Sequence, residues 1–404
     1  MGKCTYCFEP TNEILDLGFL PPVNVMDKIS ENIQVNNSYP LRLVYCNNCF
    51  LTQIEDEIDG ELVFPESYPY LSGTTRILRE NFTEQFNELI NFKPAKPNQL
   101  VIDIGSNDGT LLSNYKNDFA VLGIEPTGAA KVAVNNNIRT IQKFFNKETA
   151  REILNDFGKA QVVTACNVFA HIPNLSTLME SVDLILEEDG IFISESHYLT
   201  QLLETLQFDT IYHEHLRYYN GNFLSRLFKD FGFEIIKIKK IPTHGGSIRV
   251  WAAKSGKYDV DKEVEQFLTN EKNSQFFGLN GHEKFALEVL DWRQQFRKLI
   301  AELRTSNKSI YGIGAPSRAS TLVTFSGLEK SDLLAVGEIQ GSHKIGRYMP
   351  GTRIPIIAEE EVLEKKPDYL LMLSWHIAEE LIPKIKENGY TGKFLIPLPK
   401  IKIL

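Results

Sequence analysis

The chain has 404 residues, of which 43% are hydrophobic and 24% are charged, and its net charge is −9. This length exceeds what one hydrophobic core usually supports, so we expect two or three domains of a soluble globular protein. The acidic balance argues against a nucleic-acid-binding protein, and no apolar run is long enough for a membrane span or opens the chain as a signal peptide. We therefore expect a cytoplasmic protein with no nucleic-acid or membrane partner.

The first 75 residues are rich in turns and contain two CxxC pairs separated by 38 residues. Two such turns can direct four thiolates at one tetrahedral ion, which suits zinc, and four cysteine ligands leave no coordination position open for catalysis. Free buried thiols or a redox pair are the alternative. The predicted ligands of this structural zinc site are Cys4, Cys7, Cys46 and Cys49.

An alternating pattern of helices and strands follows. Residues 75–92 carry apolar residues at helical spacing and predict an amphipathic helix. Four short apolar runs come next, with helical stretches between them, one of which is predicted to begin at about Thr110. This alternation predicts a largely parallel sheet with right-handed crossovers. The four runs cover residues 100–105, 119–124, 161–168 and 190–196.

The first run leads into the sequence DIGSNDG, residues 103–109, called here the glycine loop. It lacks the GKS/T of a phosphate-binding P-loop and differs from the GxGxxG that wraps a pyrophosphate. Glu125 ends the next strand, where a carboxylate can accept hydrogen bonds from both hydroxyls of a ribose. The combination resembles the S-adenosylmethionine (SAM) loop of class I methyltransferases, while a dehydrogenase loop or a structural turn are the alternatives.

The sequence YHEHLRYY, residues 212–219, is called here the HEH segment. It places two imidazoles on either side of a carboxylate, with phenols at both ends. So many proton-handling groups about a hundred residues after a nucleotide-type loop indicate an enzyme active site. A half-buried strand or loop with satisfied histidines is the alternative.

Charged, helix-prone sequence from about residue 261 to 304 includes a long helix predicted from His282, and a second α/β pattern follows it. We predict an α/β protein with a central Rossmann-like domain and a second, smaller Rossmann-like domain. The predicted divisions are a zinc-binding module at 1–75, a cofactor-binding domain at 76–258 and a C-terminal domain with its helical linker at 259–404. The apolar runs of the C-terminal domain cover residues 309–315, 333–339, 369–374 and 393–399.

The order of motifs along essentially the whole chain resembles the sugar C-methyltransferases. The shared motifs are the CxxC pairs, ESYPYLSGTT, DIGSNDGTLL, NVFAHI, FDTIYHEHLRYY, THGGSIRV and YGxxAPxxAxT. The resemblance implies structural zinc and methyl transfer from SAM to the carbon beside the C4 ketone of a nucleotide-linked deoxysugar, classically C3. We expect such a sugar nucleotide as substrate, and a monomer or weak homodimer.

A carbon acid beside a ketone needs a base, a group that holds the enolate oxygen and a methyl electrophile in line. The resemblance implies a Tyr, Glu and His group around the sugar. His215 is the best candidate for the base, because a neutral imidazole has a pKa of about 6.5. Glu214 can orient an imidazole or bind a sugar hydroxyl, and Tyr212 and Tyr70 can donate hydrogen bonds to the ketone oxygen. His213 is a substrate contact or satisfies a buried carbonyl.

The other predicted site residues lie in loops that follow strands. The predicted cofactor contacts are Asp103, Gly105, Asp108, Gly109, Glu125, Asn167 and His171. The predicted substrate contacts are His213, His244, Gly245 and Arg318. A satisfied core histidine is the alternative for His171, and simple turn chemistry is the alternative for Gly245. Arg249 is expected to face solvent, and Cys166 is expected to be inert core.

The C-terminal domain departs from the family pattern in two places. The family usually carries Lys, Gly and Asn where this chain has Arg318, Ala319 and Ser320, and an Asp-x-Asn/Ser element is replaced by Glu338 and Gln340. These departures bear on which nucleotide and which sugar are bound. The alternative functions are methylation of a sugar oxygen or nitrogen, a nicotinamide-dependent reductase that uses the C-terminal glycine loop, and a binding protein without activity.

Overall fold

A computed structural model describes residues 2–30, 37–66, 68, 70–96 and 98–404. Ser67 and Pro69 of the ESYPYLSGTT motif therefore lie outside the described residues. Within this part of the chain, every helix is either too short or too polar to cross a lipid bilayer. Three β-sheets and their covering helices form the molecule, which confirms the predicted α/β class.

The N-terminal sheet is antiparallel and has the strand order β1-β2-β3-β9. Its fourth strand, β9 (Arg217–Tyr218), comes from the HEH segment, so the N-terminal module and the predicted active site share one sheet. The inward-facing side chains of the first strand include Leu15, Leu17 and Leu20. The elements of the module are β1 (Asn12–Leu20), β2 (Tyr39–Tyr45), β3 (Thr52–Ile54) and a short helix α1 (Gly60–Val63).

The central sheet has seven strands in the order β10-β11-β8-β7-β4-β5-β6. The five strands from β8 to β6 are parallel, as predicted, and β11 runs antiparallel to both of its neighbours. Because the parallel strands end at the same edge, the loops that follow them meet there. The elements are α2 (Arg76–Phe92), β4 (Leu100–Ile104), β5 (Ala120–Ile124), α3 (Ala129–Asn135), β6 (Thr140–Ile141), α4 (Lys147–Phe157), β7 (Ala160–Cys166), α5 (Leu175–Ile185), β8 (Leu186–His197), α6 (Leu199–Glu204), β9 (Arg217–Tyr218), α7 (Gly221–Asp230), β10 (Phe233–Ile241) and β11 (Ser247–Lys254).

The helix predicted from about Thr110 is wrong: the structure has turns there and a single 3₁₀ turn at Leu112–Asn114. Ser113 Oγ donates a hydrogen bond to the carbonyl of Gly109, and Asn114 Nδ2 donates to the carbonyl of Leu111. Short polar side chains that bond to nearby main-chain groups compete with regular helix, which accounts for the difference.

The C-terminal sheet has six strands in the order β14-β13-β12-β15-β16-β17, and all neighbours are parallel except the last pair. The strand order reverses at β12, so the loop after this strand lies at a switch point of the kind that often binds ligands. The predicted long helix is present but begins at Gly278. The elements are α8 (Lys262–Lys272), α9 (Gly278–Thr305), β12 (Ile310–Ile313), α10 (Ser317–Ser326), β13 (Val336–Glu338), β14 (Ile356–Ala358), α11 (Glu359–Glu364), β15 (Tyr369–Met372), α12 (Ala378–Glu387), β16 (Lys393–Ile396) and β17 (Lys402–Ile403).

The hydrophobic cores join the three sheets. Leu15 and Leu43 of the N-terminal sheet belong to the same apolar cluster as Phe285 of α9 and Leu322 of α10. The zinc-module side chains near Leu51 pack instead with the core of the central sheet. The N-terminal module therefore packs against both α/β units, and a cavity lies where the three meet.

Candidate active site

The cavity at this junction has a volume of about 830 Å³, within the range of about 300–1,000 Å³ usual for small-molecule sites. The glycine loop, the HEH segment and the start of α10 form its walls. The predicted residues that line it are Tyr70, Gly105, Glu125, Asn167, His171, Tyr212, His213, Glu214, His215, His244 and Arg318. The predicted residues outside its lining are Asp103, Asp108, Gly109 and Gly245.

The two CxxC turns have matching geometry. The amide of Phe8 donates to the carbonyl of Cys4, and the amide of Phe50 donates to the carbonyl of Cys46; both phenylalanines have positive φ, 61° and 69°. All four sulfurs lie within 4.8 Å of one another. A tetrahedral zinc ion with Zn–S bonds of about 2.3 Å needs sulfurs about 3.8 Å apart, so this cluster fits the ion. The protein has a structural zinc site, away from the cavity.

The glycine loop needs its first glycine at the cavity wall. Gly105 has a φ of +70°, and a Cβ there would lie 2.5 Å from Val168. Glu125 is buried beside it and accepts hydrogen bonds from the amides of Asn107, at 3.0 Å, and Thr127, at 2.9 Å. The hydroxyl of Thr127 also donates to it, at 2.6 Å. A carboxylate has about four acceptor sites, so Glu125 can accept one more hydrogen bond, from a hydroxyl of a bound ribose. The residues present therefore fit the adenosyl end of SAM.

The two aspartates of the loop lie behind the cavity wall. Asp103 accepts a hydrogen bond of 2.6 Å from the hydroxyl of Thr164, and burial raises the pKa of its carboxyl to about 7. Asp108 accepts a hydrogen bond of 2.8 Å from the amide of Gly73 and so ties the loop to the segment before α2. Neither carboxylate lines the cavity, so their positions are those of supports for the loop.

Two predicted cofactor contacts follow β7. Asn167 has a φ of 57°, and its main-chain N–H donates to the carbonyl of Glu195. Its side-chain Oδ1 is buried without a hydrogen-bond partner among the described residues. Such an acceptor in a cavity wall fits a donor of a bound molecule. His171 donates from Nδ1 to the main-chain oxygen of Glu214, and burial lowers the pKa of the imidazole. His171 is therefore neutral at pH 7.

The two histidines of the HEH segment point to different partners. His215 donates from Nδ1 to the carbonyl of Thr210 at 2.8 Å, and burial holds the pKa of its imidazole well below the usual value. A neutral ring whose proton is on Nδ1 keeps a lone pair on Nε2. His213 instead reaches the carbonyl of Pro40, at 3.2 Å. His215 also lies against the ring of Tyr212, with centroids 4.1 Å apart.

Glu214 is buried and held by two donors. It accepts hydrogen bonds from the amide of Asn24, at 2.6 Å, and from the hydroxyl of Tyr68, at 2.8 Å. Burial raises the pKa of the carboxyl to about 7, against the opposing effect of these donors and of Lys344. Among the described residues its side chain orients no imidazole; its main-chain oxygen does so, for His171.

Several cavity residues were missed from the sequence. They are Tyr68, His197, Lys344 and His376, together with Asn24 behind Glu214. His197 extends the row of imidazoles, since its ring centroid lies 4.8 Å from His215 and 5.6 Å from His244. Two of these residues had a local signal: Tyr68 shares a motif with Tyr70, and His197 directly follows a predicted strand. The others come from segments without a motif.

Arg318 is already engaged at the cavity wall. Its guanidinium makes two hydrogen bonds to Asp209, of 2.8 and 2.7 Å, and lies 4.7 Å over the ring of Trp375. Nη1 is the nitrogen without a hydrogen bond in the described part of the chain, so it can meet an anion. Gly245 has a φ of +88° and accepts a hydrogen bond from Gln207, which places it in a tight turn.

Arg249 and Cys166 both differ in part from what the sequence predicts. Arg249 does not face solvent: it is fully buried and forms ion pairs of 2.6 Å with Glu195 and 2.9 Å with Glu88. Its strand β11 is not an edge strand but lies between β8 and β10, and α2 covers this side chain. Cys166 is packed as expected but also lines the cavity, where its sulfur accepts a hydrogen bond from Gln85.

Comparison with known proteins gives matches along the chain. Family models match residues 4–64 ("Putative zinc binding domain"), 75–238 (methyltransferase domain) and 242–399 (C-methyltransferase C-terminal domain). C-methyltransferase NovU from Streptomyces niveus is 30% identical over 372 residues, which cover 91% of this chain and 88% of that protein.

Two solved structures share a smaller part. A SAM-dependent methyltransferase from Clostridium acetobutylicum ATCC 824 is 14% identical and covers 44% of this chain and 92% of its own, with a TM-score of 0.34. Magnesium protoporphyrin IX methyltransferase (ChlM) from Synechocystis PCC 6803, with bound S-adenosylhomocysteine, is 16% identical over 44% of this chain and 83% of its own, also with a TM-score of 0.34. Scores this low add nothing to the sequence matches. On those sequence matches, the chain belongs to the SAM-dependent C-methyltransferase family.

Proposed function

We propose that the protein methylates the carbon beside the ketone of a nucleotide-linked 4-keto-deoxysugar, with His215 as the base. The observation that carries this proposal is the state of His215 in the cavity, neutral and with its Nδ1 proton bound to Thr210. SAM supplies the methyl group as an electrophile when it is bound. Glu125 and the glycine loop would hold the adenosyl end of SAM, and the HEH segment would hold the sugar.

Nε2 of His215 would take the proton from the carbon next to the ketone. The electron pair of the broken C–H bond then forms the enolate, and the enolate carbon forms a bond to the methyl carbon. The S–CH₃ bond breaks with its electron pair on sulfur, so S-adenosylhomocysteine leaves and the ketone is restored. His215 ends as an imidazolium, and its depressed pKa favours release of that proton.

The enolate oxygen needs donors that stay protonated. Burial raises the pKa of Tyr212 well above its usual value, and its ring lies against that of His215 at an angle of 34°. Tyr212 is therefore suited to donate a hydrogen bond to the developing oxyanion. Tyr70 is 40% exposed and lines the same cavity, so it can contact the sugar from the opening. Glu214 would accept a hydrogen bond from a sugar hydroxyl.

The nucleotide end of the substrate would lie toward the C-terminal domain. Arg318 and Lys344 line this part of the cavity, together with His244 and His376. Arg318 is positioned by Asp209, and its free Nη1 can donate to a phosphate oxygen. Not all the donors of the C-terminal loop are available, because the amide of Ala315 donates to Glu338.

The test is exchange of a carbon-bound proton without methyl transfer. The zinc-loaded enzyme is incubated in deuterated water with S-adenosylhomocysteine and a panel of nucleotide-linked 4-keto-6-deoxyhexoses, and the sugar protons are followed by NMR. We expect the proton beside the ketone to exchange. In His215→Ala the exchange rate should fall about 10²–10⁴-fold, as for removal of a general base, and added imidazole should restore part of it. The exposed His343 gives a control, His343→Gln.

With SAM in place of its product, the expected sugar carries a new methyl group bonded to carbon. A product methylated on oxygen or nitrogen, formed without exchange of any carbon-bound proton, would contradict the proposal. So would a His215→Ala variant that exchanges as fast as the parent protein.

A further inference from the structure

Glu214 is connected to the C-terminal domain through one side chain of the N-terminal module. Asn24 Nδ2 donates to Glu214 Oε1 at 2.6 Å, and Asn24 Oδ1 accepts from the hydroxyl of Ser317 at 2.9 Å. Ser317 is the first residue of α10. The side-chain amide of Asn24 thus bonds to the Glu214 carboxyl group on one side and to the C-terminal domain on the other.

The segment that carries Asn24 is attached to the C-terminal domain rather than to the central sheet. The amide of Tyr348 donates to the carbonyl of Asp27, and the amide of Ile29 donates to the carbonyl of Gly346, each at 2.9 Å. Arg347 Nη1 donates to the carbonyl of Met26, also at 2.9 Å. Residues 26–29 and 346–348 therefore form a main-chain connection that positions Asn24.

A close approach fixes the same segment from a second direction. Gly351 has a φ of +68°, and a Cβ there would lie 2.7 Å from Pro21. Pro21 directly precedes the turn that contains Asn24, in which the amide of Val25 donates to the carbonyl of Pro22. The position of Asn24 is therefore set by the C-terminal domain on both sides of the turn.

A lysine of the C-terminal domain acts electrostatically on the same carboxyl group. Lys344 donates from Nζ to the carbonyl of Ala315 at 2.6 Å and lines the cavity. It is one of the three groups that lower the pKa of Glu214, after Tyr68 and Asn24. Of these three groups, Lys344 belongs to the C-terminal domain and Asn24 is anchored to it.

We propose that Asn24 and Ser317 are positioning residues through which docking of the C-terminal domain fixes the Glu214 carboxyl group for the reaction. The central domain supplies Glu214 but not the full set of donors that hold it. The C-terminal domain would then complete the catalytic site as well as contribute to binding. The role of Glu214 in the reaction rests on the proposed function, whereas the effect of Asn24 and Ser317 on the ionisation of Glu214 does not.

The experiment compares two serines of the same helix. Ser317→Ala removes the hydroxyl that holds Asn24, and Ser326→Ala removes a buried hydroxyl of α10 that has no hydrogen-bond partner among the described residues. Asn24→Ala removes the bridge itself, and Ser317→Thr keeps a hydroxyl. In the zinc-loaded protein with bound S-adenosylhomocysteine, the titration of Glu214 is followed by ¹³C NMR of its carboxyl carbon, with Glu214→Gln to assign the signal.

The charged groups and donors that face Glu214 are Tyr68, Tyr212, Lys344 and Asn24. Removing a donor from the charged form raises the pKa of a carboxyl group. We expect the titration midpoint to rise in Asn24→Ala and, by less, in Ser317→Ala. It should stay at the parent value in Ser326→Ala and return toward it in Ser317→Thr.

The turnover number of the variants provides a second measurement. Loss of one hydrogen bond between neutral groups corresponds to about a two- to tenfold effect, so kcat should fall by that factor in Ser317→Ala with little change in KM. Because the two residues act as one bridge, the double variant Asn24→Ala/Ser317→Ala should lose no more than Asn24→Ala alone.

Equal titration midpoints in Ser317→Ala and Ser326→Ala would overturn the inference, whatever reaction the enzyme catalyses. Losses that multiply in the double variant would also overturn it. If the midpoint rises in Ser317→Ala but no protein exchanges a sugar proton, the proposed function fails and the positioning of Glu214 stands.

Discussion

Asp103 allows a direct test of its role as a buried support of the glycine loop, because its carboxyl group lies behind the loop with one hydroxyl donor. The pKa of Asp103 is raised by burial from 3.8 to about 7, with a smaller contribution from Glu125. Between these values the folded chain holds a proton that the unfolded chain has released. The stability that Asp103 contributes therefore falls as the pH rises through this window, and the loss is complete above about pH 7.

The magnitude follows from the width of the window. At about 1.4 kcal/mol for each pH unit, ionisation of Asp103 costs the folded state about 4 kcal/mol at alkaline pH. Asp103→Asn keeps an acceptor for Thr164 and removes the charge. The variant should be more stable than the parent, and about 2 kcal/mol of the difference should develop between about pH 5.5 and pH 8.5.

The assay is urea unfolding of the zinc-loaded protein without SAM, followed by circular dichroism across this pH range. Other titrating groups occur in both proteins, so the difference between the two stability curves isolates Asp103. Asp118→Asn, at an exposed position of the same domain, serves as the control and should give a flat difference. A flat difference for Asp103→Asn as well would refute the view that this carboxyl group is held at an energetic cost.

Two further predictions concern the glycine loop and the zinc site. Gly105→Ala forces a Cβ onto Val168 at a positive φ and should abolish binding of S-adenosylhomocysteine in calorimetry. Gly158→Ala, at a φ of +81° with nothing within 4 Å, should cost only about 1 kcal/mol of stability and leave binding intact. Equal effects of the two changes on binding would contradict this prediction. The parent protein should contain one zinc ion per chain by metal analysis. Cys49→Ser should lose the ion and have a lower melting temperature. Full zinc content in Cys49→Ser would argue against a four-cysteine site.

The sequence was most informative where a motif is local. Each CxxC pair, the glycine loop and the HEH segment place their groups within a few residues. Residue types and spacing therefore indicated a metal site, a nucleotide-type loop and a proton-transfer cluster, and the resemblance to the sugar C-methyltransferases implied the roles of single residues. The predicted strands at residues 100–105 and 161–168 are also present, because a buried parallel strand needs a continuous apolar run. The helix predicted after the glycine loop was wrong, because the side chains of Ser113 and Asn114 satisfy main-chain carbonyls locally.

Contacts between distant segments could not be read in this way. Asn24, Tyr68 and Lys344 all surround Glu214, yet they come from three separate parts of the chain and none lies in a periodic pattern. Arg249 was misplaced for the same reason, since only the strand order shows that β11 is internal and that Glu195 lies beside it.

The sequence by itself thus determined the class of fold and the zinc ligands, because these depend on residue type and short-range spacing, and it offered His215 as a candidate base through the family resemblance. The tertiary structure decided which tautomer His215 adopts, which carboxyl groups face the cavity, and that the C-terminal domain holds a donor to Glu214 through Asn24. Ionisation and hydrogen bonding depend on burial and on partners brought together by the fold, and these are properties of the packed molecule rather than of any one segment.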